Sequence, residues 1–171
     1  MSLSPDDVLA RLREGGIAYE LYEHPPVVTV EAMMAICGDI AGTHTKNLFL
    51  RDGKKAHFLV TLQHDARVDL KALRSVLGAR GGLSFASADA LREQLGVASG
   101  AVSPLAAFNA APGSVRILIQ DSLLEAARIN VHPLVSTRTV SLLPGDLLAV
   151  LRAAGHEPEA FAVPELQRAD A

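Results

Sequence analysis

Tryptophan is absent from this chain, cysteine occurs once, and aromatic residues of all kinds make up 4% of it. Each scarcity excludes something. With Cys37 alone, neither an internal disulfide nor a thiolate-rich metal cluster can form, and a buried, inert thiol is expected. Tyr19, Tyr22, Phe49, Phe58, Phe85, Phe108 and Phe161 offer too few stacking platforms to hold an extended single strand of nucleic acid. Excess positive charge is missing as well: the formal net charge is -3 and the pI about 6.0, whereas gripping a long duplex takes many phosphate contacts. DNA is therefore not an expected partner, and any contact with nucleic acid is local. No apolar run reaches the length of a membrane span, and Met1 to Arg13 is too polar for a signal peptide, so no membrane association is expected and the compartment reads as cytoplasmic.

The common catalytic signatures are missing too. There is no Walker loop, no Gly-x-Gly-x-x-Gly after a strand, no His-Glu-x-x-His and no Gly-x-Ser-x-Gly elbow. His24, His44, His57, His64, His132 and His156 include no pair at helical ligand spacing. No metal and no cofactor are expected.

What is present is an ordinary globular composition, 49% hydrophobic and 20% charged over 171 residues, enough for one core. Ser4-Pro5-Asp6-Asp7 predicts a helix start, with Val8, Leu9 and Leu12 on its inner face and Gly15-Gly16 as its stop. Tyr19 to Glu23 alternates like a strand, His24-Pro25-Pro26 reads as a rigid turn, and Thr29 caps a helix that ends near Gly38. Thr45 to Leu50 and His57 to Leu62 predict a hairpin turning at Asp52-Gly53. Asp69 caps a helix with Leu70, Leu73, Val76 and Leu77 on one face, and a second helical unit, Ser87 to Leu95, follows a short strand at Leu83 to Phe85. Val115 to Gln120, Arg128 to Val131 and Val135 to Leu142 predict three strands, and Pro144 opens a last helix facing inward through Leu147, Leu148 and Leu151. Strands and helices interleave without regular βαβ alternation, which predicts a mixed α/β (α+β) fold, a mixed sheet with helices around it. Residues 1–156 read as one domain, and 157–171 as a tail to which no element is assigned.

Lys46-Asn47, at the mouth of an otherwise apolar strand, is the most informative pair. A Lys there ordinarily lays its stem on apolar surface with its head in water; as a site residue it supplies a point charge for phosphate or carboxylate, and Asn47 both a donor and an acceptor. Gly96 to Pro104 is a loop of small residues whose backbone can approach a ligand, or a plain connector. His132, before Pro133, sits in an extended backbone either as a site residue or as a structural histidine. Ser103 has no neighbouring base or acid in sequence to make it a nucleophile.

Taken together, four segments resemble the YbaK/ProX family of aminoacyl-tRNA deacylases: Glu23-His24-Pro25-Pro26 with Thr29-Val30-Glu31, then Gly42 to Asp52, Gly100 to Pro104, and Asn130-Val131-His132-Pro133-Leu134. The similarity runs from about Leu9 to about Leu151. The stretch Thr45-Lys46-Asn47-Leu48-Phe49-Leu50 is specific to the freestanding proteins that clear alanine mischarged onto proline tRNA, relatives of the editing domain inserted in bacterial prolyl-tRNA synthetases. The resemblance implies a twisted, partly barrel-like mixed sheet with a pocket for an aminoacyl-adenosine. Lys46 and Gly100 would be catalytic there, and Asn47, Ala101, Ser103, Pro104 and His132 would bind substrate. It further implies a reaction without metal, protein nucleophile or obvious protein general base, helped by the substrate's ribose 2'-hydroxyl. Its partners would be the acceptor end of tRNA(Pro) carrying alanine and prolyl-tRNA synthetase. Lys46, Arg51, Lys54, Lys55, Lys71, Arg74 and Arg80 would form a modest basic rim. Two alternatives stay open: a deacylase of cysteinyl-tRNA(Pro) or another small aminoacyl-tRNA, and a non-catalytic module that binds a tRNA end or a synthetase.

Overall fold

The computed structural model describes residues 2–27 and 29–164. Local signals become local structure where side chains can satisfy the open ends of helices. Helix α1 (Pro5–Glu14) starts from a reciprocal capping pair, the Ser4 hydroxyl accepting from the Asp7 N-H at 3.1 Å and the Asp7 carboxylate from the Ser4 N-H at 2.9 Å. After β1 (Tyr19–Glu23), α2 (Val30–Cys37) is capped by Thr29, whose hydroxyl accepts from the Ala32 N-H at 3.0 Å.

The hairpin of β2 (Thr43–Arg51) and β3 (His57–Gln63) is present, but its loop is longer than a two-residue turn at Asp52-Gly53. The Asp52 carboxylate accepts from the N-H groups of Lys54 (2.9 Å), Ala56 (2.9 Å) and Arg80 (3.0 Å), and Lys55 takes a left-handed conformation at φ 64. Those bonds hold the Asp52 carboxyl below the usual carboxylate range, that from Arg80 contributing most. Helix α3 (Leu70–Leu77) begins at Asp69 as expected, yet Val76 faces solvent. After the short strand β4 (Ser84–Phe85), α4 (Ala88–Ala90) runs directly into a π-helical turn, Leu91–Leu95, that buries Leu91 and Leu95. The remaining elements are β5 (Arg116–Gln120), α5 (Asp121–Leu124), β6 (Ile129–Val131), β7 (Arg138–Leu142), α6 (Pro144–Ala153) and β8 (Glu159–Phe161).

The strands form one open mixed sheet in the order β1-β7-β6-β2-β3-β5-β8. Strand β8, in the tail for which the sequence suggested no element, pairs parallel to β5 and buries Phe161. It forms because the segment covers an edge of β5 that would otherwise present unpaired backbone groups. Residues 165–171 of that tail lie outside the described residues.

Strand β2 organises the molecule. It pairs with β3 along Thr45 to Arg51, and its opposite edge is shared by two strands: β6 takes Thr43 and His44, and β4 takes Leu50 and Arg51. Between them, no described strand pairs with Thr45 to Phe49 on that side, so the sheet splits there. Side chains alternate across the strand. Leu50, Phe58, Val60 and Leu62 pack with Leu73 and Leu77 of α3 on one face, while Phe49, Leu59 and Ile117 join the larger core under α1 and α6 on the other. A third cluster, Val27, Met33 and Cys37, seats α2. Cys37 is buried as expected and packs in this cluster, and burial pushes its thiol up in pKa. Among the described residues no helix is long and apolar enough to cross a membrane.

Candidate functional site

A cavity of about 230 Å³ occupies the split beside β2. Thr45, Lys46, Asn47 and Leu48 form its floor, Ser99, Gly100 and Val102 one wall, and Val27, Thr29, Val30 and Met33 of the α2 region another, with His132 completing it. Lys46, Gly100 and His132, expected to act together and separated by many residues in sequence, meet here.

Lys46 leans to the α3 side of the sheet and donates from Nζ to the Ala66 carbonyl, which holds a long, flexible side chain in one direction. Burial pushes its ammonium below the ordinary lysine range; Asp65 opposes this and Arg67 adds to it. The sequence offers no reason for such a shift, because Ala66 and Arg67 are brought to Lys46 only by the fold. Asn47 points to the opposite face. Its Nδ2 donates to the Val102 carbonyl at 3.0 Å, and its Oδ1 accepts from the Thr61 hydroxyl at 2.7 Å. One amide N-H and one lone pair are left for a ligand, so Asn47 is first a strut between β2, β3 and the loop.

The loop is shaped from behind. Ser99–Ala101 is a 3-10 turn in which the Ala101 N-H bonds the Ala98 carbonyl at 3.0 Å, and Pro104–Asn109 is a second 3-10 segment. Ala101, Ser103 and Pro104 are buried and do not line the cavity; the Ser103 hydroxyl accepts from the Leu105 N-H at 3.2 Å. These three of the expected binding residues stand behind the lining, to which the loop contributes Ser99, Gly100 and Val102.

His132 lies at the start of the connection from β6 to β7. Its Nδ1 is 2.8 Å from the Arg138 carbonyl, which can only accept, so Nδ1 carries the proton and Nε2 the lone pair in the neutral ring. Burial is the main cause that lowers its pKa; the Arg138 bond opposes and His24 reinforces the shift. His132 is therefore a neutral hydrogen-bond acceptor and a weak base at pH 7. His24 is tied to the Pro25 carbonyl and the Thr139 hydroxyl, both at 2.8 Å, in keeping with a rigid turn.

Thr45, the first residue past the β6 pairing, donates its hydroxyl to the Asn130 carbonyl at 2.7 Å. Chemically, the lining offers a partly desolvated cation, a neutral imidazole acceptor, a tight turn of small residues and an apolar wall, with no carboxylate and no thiol. Among the described residues no group of three or more potential ligands could hold a metal ion. The α2 wall went unread in the sequence, although Val30 and Met33 are spaced as neighbours on one helical face. Thr61 was not legible in the sequence: a two-residue turn at Asp52-Gly53 would set Phe58 opposite Asn47, and only the longer loop sets Thr61 there.

Residues 24–150 match the model of the aminoacyl-tRNA editing domain. The chain belongs to that family. It is an aminoacyl-tRNA deacylase, of the kind that the Lys46, Gly100 and His132 segments resemble. Among relatives, it is 39% identical over 152 residues to the prolyl-tRNA synthetase associated domain-containing protein 1 of Bos taurus, covering 86% of this chain and 88% of that one. It is also 39% identical over 150 residues to the prolyl-tRNA editing protein ProX of Acetoanaerobium sticklandii, covering 87% and 91%. A crystal structure proposed to be a trans-editing enzyme for prolyl tRNA synthetase superimposes with a TM-score of 0.74 at 21% identity, covering 96% of this chain and all of that one, and so shares the fold.

Proposed function

We propose that the chain clears alanine from mischarged tRNA(Pro) by ester hydrolysis, sparing prolyl-tRNA(Pro). The observation that carries this reading is the convergence of Lys46, the Gly100 turn and His132 on one small cavity walled by Val27, Val30 and Met33. The names of two relatives tie the family to proline tRNA.

The physical need for such an enzyme follows from size. A synthetase pocket built for proline cannot sterically exclude alanine, and a missing methylene costs only about 1 to 3 kcal/mol, so discrimination falls to a second, smaller site. Here the acyl side chain rests on the apolar wall, and the bulk of the proline ring is refused there. The Lys46 ammonium, held by Ala66, draws the negative charge of the substrate toward the cavity, and the Gly100 turn faces the carbonyl as it becomes an oxyanion. His132 Nε2 accepts a hydrogen bond from water or from the substrate's amino group. With no carboxylate in the lining, activation of water draws on the ribose 2'-hydroxyl next to the ester.

The test is deacylation of alanyl-tRNA(Pro) beside prolyl-tRNA(Pro) by the purified chain. Alanine is expected to be released and proline retained; equal loss of both sinks the reading. Lys46→Ala is expected to lower the single-turnover rate about 100-fold, the scale of removing one transition-state donor.

A further inference from the structure

A second concavity, of about 420 Å³, opens on the far side of Lys46. It is lined by Lys46 and Leu48 of β2, by Arg67, Val68 and Leu70 leading into α3, and by Phe85 of β4. Lys46 and Leu48 line both concavities, so the two adjoin at these side chains. Phe85 is 62% exposed, the most open of the large exposed hydrophobic side chains described. Its place follows from register: Phe85 pairs with Leu50, and Lys46, Leu48 and Leu50 share one face of β2, so the ring stands over the same surface. Core packing does not require an aromatic ring left open in a chain with so few of them.

The charges are one-sided. Arg67 and Lys46 border the groove, and no acidic residue lines it. Asp69 next to it accepts from the Lys71 N-H at 3.0 Å as the cap of α3, and Asp65, although near Lys46, is not part of the lining.

We propose that this groove holds an unpaired nucleobase, that of the nucleotide immediately 5' to the aminoacylated one. The proposal rests on the reading under Proposed function. An aminoacyl nucleoside in the first cavity is joined to the rest of its RNA by one phosphate, and Lys46, common to both concavities, is the cation on the border between them. Beyond that phosphate comes the next nucleotide, whose base needs a surface. An exposed phenyl ring over apolar residues beside a guanidinium is the chemistry of a single-strand stacking site, which accepts any base because every base has a π face.

Because the chain has no tryptophan, Phe85→Trp places a single fluorophore on this surface and keeps an aromatic platform. The probe is an acceptor-stem minihelix of tRNA(Pro) with its unpaired CCA end, uncharged for binding and alanylated for kinetics. Quenching of the indole fluorescence of the Phe85→Trp variant by the intact minihelix is expected, and its loss when the penultimate nucleotide is abasic. Phe85→Ala is expected to raise KM for the alanylated minihelix about 10-fold with kcat nearly unchanged, and Phe85→Trp to restore it. Absence of quenching, quenching that depends on the terminal base instead, an unchanged KM, or an effect of Phe85→Ala only on self-association would each overturn the proposal. Hydrolysis of 3'-alanyl-adenosine, which lacks the second nucleotide, is measured separately on the unmodified chain. Its failure would count against the alanine-clearing reading, whereas fluorescence with uncharged RNA reports on the groove alone.

Discussion

Asn47 ties together two parts of the candidate site. Its amide bridges the Thr61 hydroxyl and the Val102 carbonyl, so it fixes the distance between the strand that carries Lys46 and the turn that carries Gly100. Asn47→Ala removes both bonds and leaves Thr61, fully buried, without its acceptor. The expected cost is about 1 to 3 kcal/mol, read from urea unfolding, together with a fall in kcat as the loop loses its anchor. Asn47→Asp restores the acceptor for Thr61 but sets a charge against the Val102 carbonyl, so it is not expected to rescue. Lys46 was legible as a residue type in an unusual place. Its lowered proton affinity was not, because Ala66 and Arg67 reach it through the fold and not through neighbouring sequence.

Elements, more than residues, open the cavity. The split beside β2 exists because β6 and β4 each cover only an end of its free edge. At the β6 end, Gly42 has φ +117, and a Cβ there would stand 2.7 Å from Asn130 Oδ1. Gly42→Ala is therefore strained twice, by the backbone and by the clash. A loss of about 1 to 3 kcal/mol is expected, with editing activity falling as the start of β2 shifts; a thermal melt superimposable on the parent would remove Gly42 from this role. At the far edge, Phe161 anchors β8 onto β5. Phe161→Ala is expected to destabilise by about 3 kcal/mol, since a nearly buried ring leaves a void, and to leave kcat close to the parent because the site lies across the sheet. Helices α1, α2 and α3 were readable from their caps and apolar spacing, which act within a turn or two of chain. The hairpin loop and β8 were not: the first is held by Arg80 from beyond α3, the second by an edge of β5.

For the molecule as a whole, pH is the simplest probe. His44 and His132 both have folded-state pKa values pushed below 6.5, in each case chiefly by burial. The unfolded chain then binds protons that the folded chain refuses. Their contribution to stability is complete above pH 6.5 and is lost as pH falls from there through the folded pKa values. Urea midpoints are expected to be flat between about pH 7 and pH 8 and to drop below about pH 6.5, and His44→Gln is expected to flatten that drop. If the neutral His132 ring serves the reaction as proposed, deacylation is expected to persist below pH 6.5 for the same reason and to fail once the folded imidazole is protonated, as a pH-rate profile would show.

By itself the sequence determined the local elements and which residues were unusual for their place: the capped helices, the β2-β3 hairpin, the Lys46-Asn47 pair, the small-residue loop and His132. Those depend on backbone preference, capping and alternation, all of which act over a few residues, and on motifs in which the family resemblance resides. The tertiary structure alone decided that Lys46, Gly100 and His132 share a cavity, that α2 walls it, that Ala101, Ser103 and Pro104 stand behind it, and that Phe85 is left open beside it. Those are outcomes of strand order and register. The pairing of β2 with two different strands on one edge brings together segments whose separation along the chain carries no trace of their distance in space.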